Sequence, residues 1–218
     1  YEPFQIALFW AAAIFGGYTW LIGPQLARQD LRSDLGNADL FKTYPLRGWQ
    51  IVLGELLTPL AILTVLIWLA LLVLALSLPR GNAPWLTPHV HLAATLALGA
   101  LVPFLCAVQL VIPTAATLLF PAWFHATRGV AAARGIEVLG QRLIFVAGQL
   151  LTVLTAIIPV ALVGGGLGFL VWHAVGPLAG LVTATLLGAA ILVGELVVGL
   201  YLLGERFERF DLSAELHP

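Results

Sequence analysis

A chain of 218 residues, 61% apolar and only 10% charged, has too little polar surface to cover a soluble globule of that size, and its mean hydropathy of +1.00 places it in a membrane. The formal net charge of −1 excludes the basic surface that nucleic acid requires, and the single cysteine, Cys106, excludes an intrachain disulfide. The apolar runs are continuous and leucine-rich, not alternating in segments of about ten residues, so an all-α polytopic bundle is predicted and not a barrel.

The chain opens on Tyr1, contains no methionine and has no basic segment ahead of its first apolar run. No signal peptide is recognised, and a native N-terminal part is expected to precede it. The first span is predicted over residues 4–23. A charged loop, residues 24–49, follows and contains DLRSDLGNADLFKTYPLRGW from Asp30 to Trp49. There Leu31 and Leu35 lie one turn apart, and Gly36 breaks the helix. Asn37 can cap a short second helix that carries Leu40, Phe41, Lys42 and Tyr44 and stops before Pro45. Such a helix lies along the membrane as an interfacial linker or docks into another protein, and Trp49 marks the membrane interface beyond it.

The second span, residues 50–78, is long enough that it must tilt, bend at Pro59 or extend beyond the bilayer. After it, His89 and His91 form a His-x-His pair with no carboxylate or thiol nearby to complete a metal shell, so no metal site is predicted. The third span covers residues 90–111, a second charged loop 112–142, and the fourth span 143–163. Residues 164–177, GGGLGFLVWHAVGP, carry five glycines and no charge, a composition suited to tight turns or close helix contact. The fifth span covers residues 178–203, and the tail sets Glu205 and Arg209 at i and i+4.

Lys and Arg mark the cytoplasmic loops. Arg28, Arg32, Lys42 and Arg47 fall in the first loop, only Arg80 in the second, and Arg128, Arg134 and Arg142 in the third. The fourth connection has none, and the tail has Arg206 and Arg209. The start of the chain is thus expected outside and its C-terminus in the cytoplasm.

Two carboxylates, Glu55 and Glu195, interrupt apolar runs, where an ionised group costs at least about 2.5 kcal/mol near the bilayer centre. Glu55 lies about 9 Å along its helix from Trp49 and can reach headgroups or an arginine, so it reads as structural. Glu195 lies about 13 Å before Gly204 and is the better candidate for a polar point on a substrate path or a proton-sensitive gate. Arg142 could pair with either, and Gln109 and Gln149 supply further polar points. No GxxxxGK[ST] occurs, and GGGLG lacks the lysine that would make it a phosphate loop.

The order DLRSDLGNADLFKTYPLRGWQIVLGELLTP, then LLFPAWF followed by GIEVLGQRL, and finally LGERFERFDLSAE resembles the permease subunits of bacterial ATP-binding-cassette (ABC) exporters. The resemblance covers most of the chain and implies a six-span permease half of which this chain holds spans two to six, the first span being absent. It implies that Asn37, Leu40, Phe41, Lys42, Tyr44 and Pro45 form a cytoplasmic coupling helix against an ABC ATPase. It also implies that Gly164, Gly165, Gly166 and Gly168 belong to an outer re-entrant turn. ATP and magnesium would sit on the ATPase with no cofactor on this chain, a second permease half, identical or different, would complete the path, and the complex would sit in the bacterial inner membrane. A membrane-embedded enzyme using Glu195 or the histidine pair, and a membrane scaffold that recruits a soluble partner, are the rival readings.

Overall fold

Lipid offers a peptide group no hydrogen-bond partner, so each apolar run must satisfy its own backbone, and every element of the chain that is described is a helix. The computed structural model describes residues 2–26, 45–77, 87–119 and 136–209. Helix α1 spans Glu2–Leu26, α2 Gly48–Ser77, α3 Pro88–Leu119 and α4 Ile136–Pro159. A π-helical turn, Val160–Gly165, leads into α5, Gly166–Ala174, and α6 spans Pro177–Arg209. Five stretches among these are long and apolar enough to cross a bilayer. At 30 residues α2 is about 45 Å long, well beyond a hydrocarbon core of about 30 Å, and it runs helically through the buried Pro59.

Two boundaries differ from those expected. Helix α3 continues past Val111 to Leu119, and α4 starts at Ile136, so the expected loop 112–142 is helical at both ends. Helix formers such as Ala115, Ala116, Leu118 and Leu119 continue the run, and Pro113 is carried inside the helix. Residues 164–177, where the resemblance implies a re-entrant helical turn, are helical as far as Ala174, and the chain reverses within that stretch, over Val175 and Gly176. Gly176 has φ +134°, a backbone that side chains rarely adopt.

Proline sets the irregularities. Pro159 lacks an N–H and ends the regular part of α4, where Thr152 and Thr155 already turn their hydroxyls back onto the Gly148 and Leu151 carbonyls. The π turn follows at once. In α3, Pro103 cannot donate to the carbonyl of Gly99, and the indole of Trp68 on α2 donates to that carbonyl instead, at 2.8 Å.

The core lies where α2, α3 and α6 meet: Val52 and Leu56, Cys106 and Leu110, Leu203 and Phe207 are buried together, and Trp20 of α1 packs against them. Outward faces are apolar as well, with Phe4, Ile14, Leu76, Leu162 and Tyr201 all exposed, a surface suited to lipid. Because lipid is as apolar as these side chains, helix association depends on close packing, and small residues provide it. A Cβ on Gly23 of α1 would collide with the Leu63 side chain of α2.

Candidate functional site

The charged loop returns to the membrane at Pro45, Leu46 and Arg47, all exposed, and delivers the chain directly into the first turn of α2. That turn is tied in two ways. The Arg47 N–H donates to the Gln50 side-chain oxygen at 3.0 Å, half of a capping box. The Gly48 N–H donates to Oε1 of Glu208, at 2.8 Å, from the last turn of α6. A carboxylate at a helix N-terminus answers both the orphan donors and the positive end of the helix dipole. The approach behind it is tight, since a Cβ on Gly48 would collide with the Gly204 carbonyl oxygen and one on Gly204 with the Trp49 nitrogen. Only glycine fits at either position.

Deeper in the bundle is a layer of buried polar groups. Gln109 is 1% exposed and Gln149 2% exposed. Gln149 donates through Nε2 to the Leu21 carbonyl at 3.3 Å, which ties α4 to α1. Thr64 lies beside the Cys106 thiol. Both polar atoms of the Gln109 amide, and Nε1 of Trp20, have no hydrogen-bond partner among the described residues. Gly188 lies against Leu101 and Gly199 against Val111, so α3 and α6 run in step and Glu195 is level with Ala107 and Val108. Glu195 is half-buried, with Oε2 enclosed and without a hydrogen-bond partner among the described residues. Glu55 is half-buried on α2.

On the other side of the bundle, α5 and the π turn lie against the start of α6. A Cβ on Gly168 would lie 2.6 Å from that of Ala184, one on Gly180 2.7 Å from the Gly168 carbonyl oxygen, and one on Gly164 3.2 Å from the Ala184 carbonyl oxygen. Gly164 and Gly168, one turn apart, thus meet Gly180, Ala184 and Gly188, small residues in the pattern that lets helix backbones approach in lipid. Gly165 and Gly166 have nothing within 4 Å and face outward.

Of the coupling candidates, Pro45 is placed as described, while Asn37, Leu40, Phe41, Lys42 and Tyr44 lie outside the described residues. Of the path candidates, Gln109 and Gln149 are enclosed in the bundle and Glu195 lies level with Gln109 on a neighbouring helix; Arg142 falls within α4. His89 and His91 begin α3, where residues two apart point about 200° around the helix from each other and cannot share an ion. Among the described residues no three His, Cys, Asp or Glu side chains cluster as a metal site. Glu208, Gly48 and Gly204 escaped sequence reasoning: Glu208 reads as one more polar residue of a solvated tail, and its partner is 160 residues away. The glycines in RGW and LLGERF were the available signal. Compared with protein-family models, curated proteins and solved structures, the chain matches none of them.

Proposed function

We propose that this chain is the membrane-spanning half of an ABC exporter, moving substrate across the bacterial cytoplasmic membrane on ATP hydrolysed by a separate subunit or domain. The observation that carries the reading is the junction at Gly48. The charged loop that resembles a coupling helix enters α2 at the residue that Glu208 and Gly204 fasten to α6. A displacement of the loop by an ATPase would reach two membrane helices at once. In this reading Asn37, Leu40, Phe41, Lys42, Tyr44 and Pro45 transmit force and perform no chemistry. Nucleotide shifts the permease between conformations only through contacts that differ between them.

The rest of the arrangement supports the same reading. Gln109 and Gln149 are enclosed among the described residues, so in this reading the path would run between two halves, with Glu195 as its polar group. The glycine-packed α5–α6 hairpin would occupy the outer side, in the place of a re-entrant turn. The C-terminal end of α6 would face the cytoplasm, where Arg206 and Arg209 belong.

The test is affinity purification of the full-length protein in mild detergent, with a search for a co-purifying ATP-hydrolysing subunit or a fused ATPase domain, repeated with Phe41→Asp. Loss of the ATPase in the variant, with the membrane protein otherwise intact, is the expected result. Absence of any ATPase from the wild-type preparation would refute the exporter reading, and the charged stretch would then be an interfacial linker.

A further inference from the structure

Between the ends of α3 and α6 runs a groove of about 390 Å³, within the size range of small-molecule sites, which is roughly 300–1,000 Å³. Val111 and Ala115 form one wall and Gly199 and Leu202 the other, and Arg206 and Arg209 stand at one end. Arg209 is paired with Glu205 one turn back, whereas Arg206 is exposed and has no ion-pair partner among the described residues. The groove is therefore apolar over most of its length, with Arg206, unpaired among the described residues, and the Arg209–Glu205 pair at a single end.

From these features we infer that the groove holds an anionic phospholipid of the cytoplasmic leaflet, with its acyl chain along Val111, Gly199 and Leu202 and its phosphate on Arg206. Depth, polarity and access all bear on this. Trp49 packs against Gly204, and an indole at a span end marks the level of the interface, so Gly204 lies there too. Arg206 stands about 3 Å beyond that level along the helix, among headgroups, and Leu202 about 3 Å inside it. A lipid presents the same sequence of phosphate and hydrocarbon across the same few ångströms. Tyr201 and Leu202 beside the groove are 65% and 55% exposed, so acyl chains can enter sideways from the bilayer. A guanidinium binds a phosphate through paired N–H donors, and basic pockets between helices on the cytoplasmic side suit anionic headgroups. The inference requires membrane insertion and this orientation, and it is independent of whether an ATPase binds.

The experiment is native mass spectrometry of the full-length protein released from mixed micelles containing equal phosphatidylglycerol and phosphatidylcholine. A phosphatidylglycerol with a photoreactive acyl chain then locates the site by peptide mapping. Wild type is expected to retain phosphatidylglycerol preferentially, with label on residues 111–116 or 199–206. Arg206→Gln should lower that preference about fivefold, Arg206→Lys should restore much of it, and Leu202→Trp should reduce retention of both lipids alike by filling the groove. Equal retention of the two lipids by wild type overturns the inference, as does an unchanged preference in Arg206→Gln. Labelling confined to other helices, or a groove covered by a second copy or another protein instead of lipid, would overturn it too. Should Arg206→Gln fail to fold, the Lys and Trp variants decide the matter.

Discussion

Gly204 and Gly48 hold the last helix and the second in backbone contact, with room for no side-chain atom between them. Gly204→Ala would drive a methyl group into a backbone nitrogen that no rotamer change can move aside. Overpacking of this kind costs about 1–3 kcal/mol. The variant should therefore unfold at a lower temperature in detergent, read by circular dichroism or thiol-reactive dye. Gly194→Ala, on the same helix with nothing within 4 Å, should be neutral or stabilising, since alanine is the better helix former. Equal behaviour of the two would mean that α2 and α6 do not touch as described.

Glu208 supplies the acceptor for the first peptide N–H of α2. Glu208→Gln keeps an acceptor but removes the charge, and Glu208→Ala removes both. The charge term at such a position contributes about 0.3–1 kcal/mol, screened by salt, so the effect on global stability should be small. The local effect is the sharper readout: hydrogen exchange over residues 45–53 should accelerate in the order wild type, Gln, Ala. If the chain is an exporter half as proposed, the Ala variant reconstituted with its ATPase should lower the transport obtained per ATP hydrolysed; unchanged exchange would mean that Glu208 does not cap α2.

How much of this was legible in the sequence depended on how far each signal had to reach. The five spans follow from unbroken apolar runs, a local property. The end of α3 lies beyond Val111 because Ile112–Leu119 are compatible with the helix, and a proline in the run did not announce a stop. The glycine content of residues 164–177 is compatible with tight turns or close helix contact, and composition alone leaves the two open. Glycine in lipid serves equally as a flat surface for a neighbouring helix, and which use applies depends on where α6 lies. That is why Gly164 and Gly168 proved to be contact residues, Gly165 and Gly166 did not, and the reversal itself fell to Gly176. Glu208 was beyond local reasoning altogether.

The same glycines yield a paired test. Gly168→Leu should separate α5 from α6, because its Cβ would lie 2.6 Å from that of Ala184 and 2.9 Å from the Gly180 carbonyl oxygen. Gly166→Leu, on the same helix but facing outward, should be tolerated. A disulfide between cysteines placed at outer positions of α5 and α6 in a Cys106→Ser background would report the separation, forming readily in the Gly166 variant and poorly in the Gly168 variant. Equal yields would place α5 away from α6.

Gln109 carries an amide that is 1% exposed with both polar atoms unpartnered among the described residues. An unsatisfied buried group costs about 1–3 kcal/mol, so Gln109→Leu, similar in volume, should raise the unfolding temperature. If the amide is kept because another conformation exposes it to substrate, the same variant should lose transport while gaining stability. A fall in stability would show that the amide is satisfied inside the bundle, by water or otherwise.

The bond from Gly48 to Glu208 joins positions 160 residues apart, and that separation bears on how the protein is made. Each span can enter the bilayer alone, since its backbone is satisfied within itself. The N-terminal end of α2 is different: the carboxylate that accepts from Gly48 and the glycine face that lies against Gly48 and Trp49 belong to the last of these helices to leave the ribosome. Until α6 arrives, the Gly48 N–H is left to solvent and headgroups, and the start of α2 has only its own Gln50 side chain as a cap. Readiness to engage a partner through that loop would then come only with synthesis of the final span, so a nascent chain halted before Gly204 should insert its membrane helices yet recruit nothing.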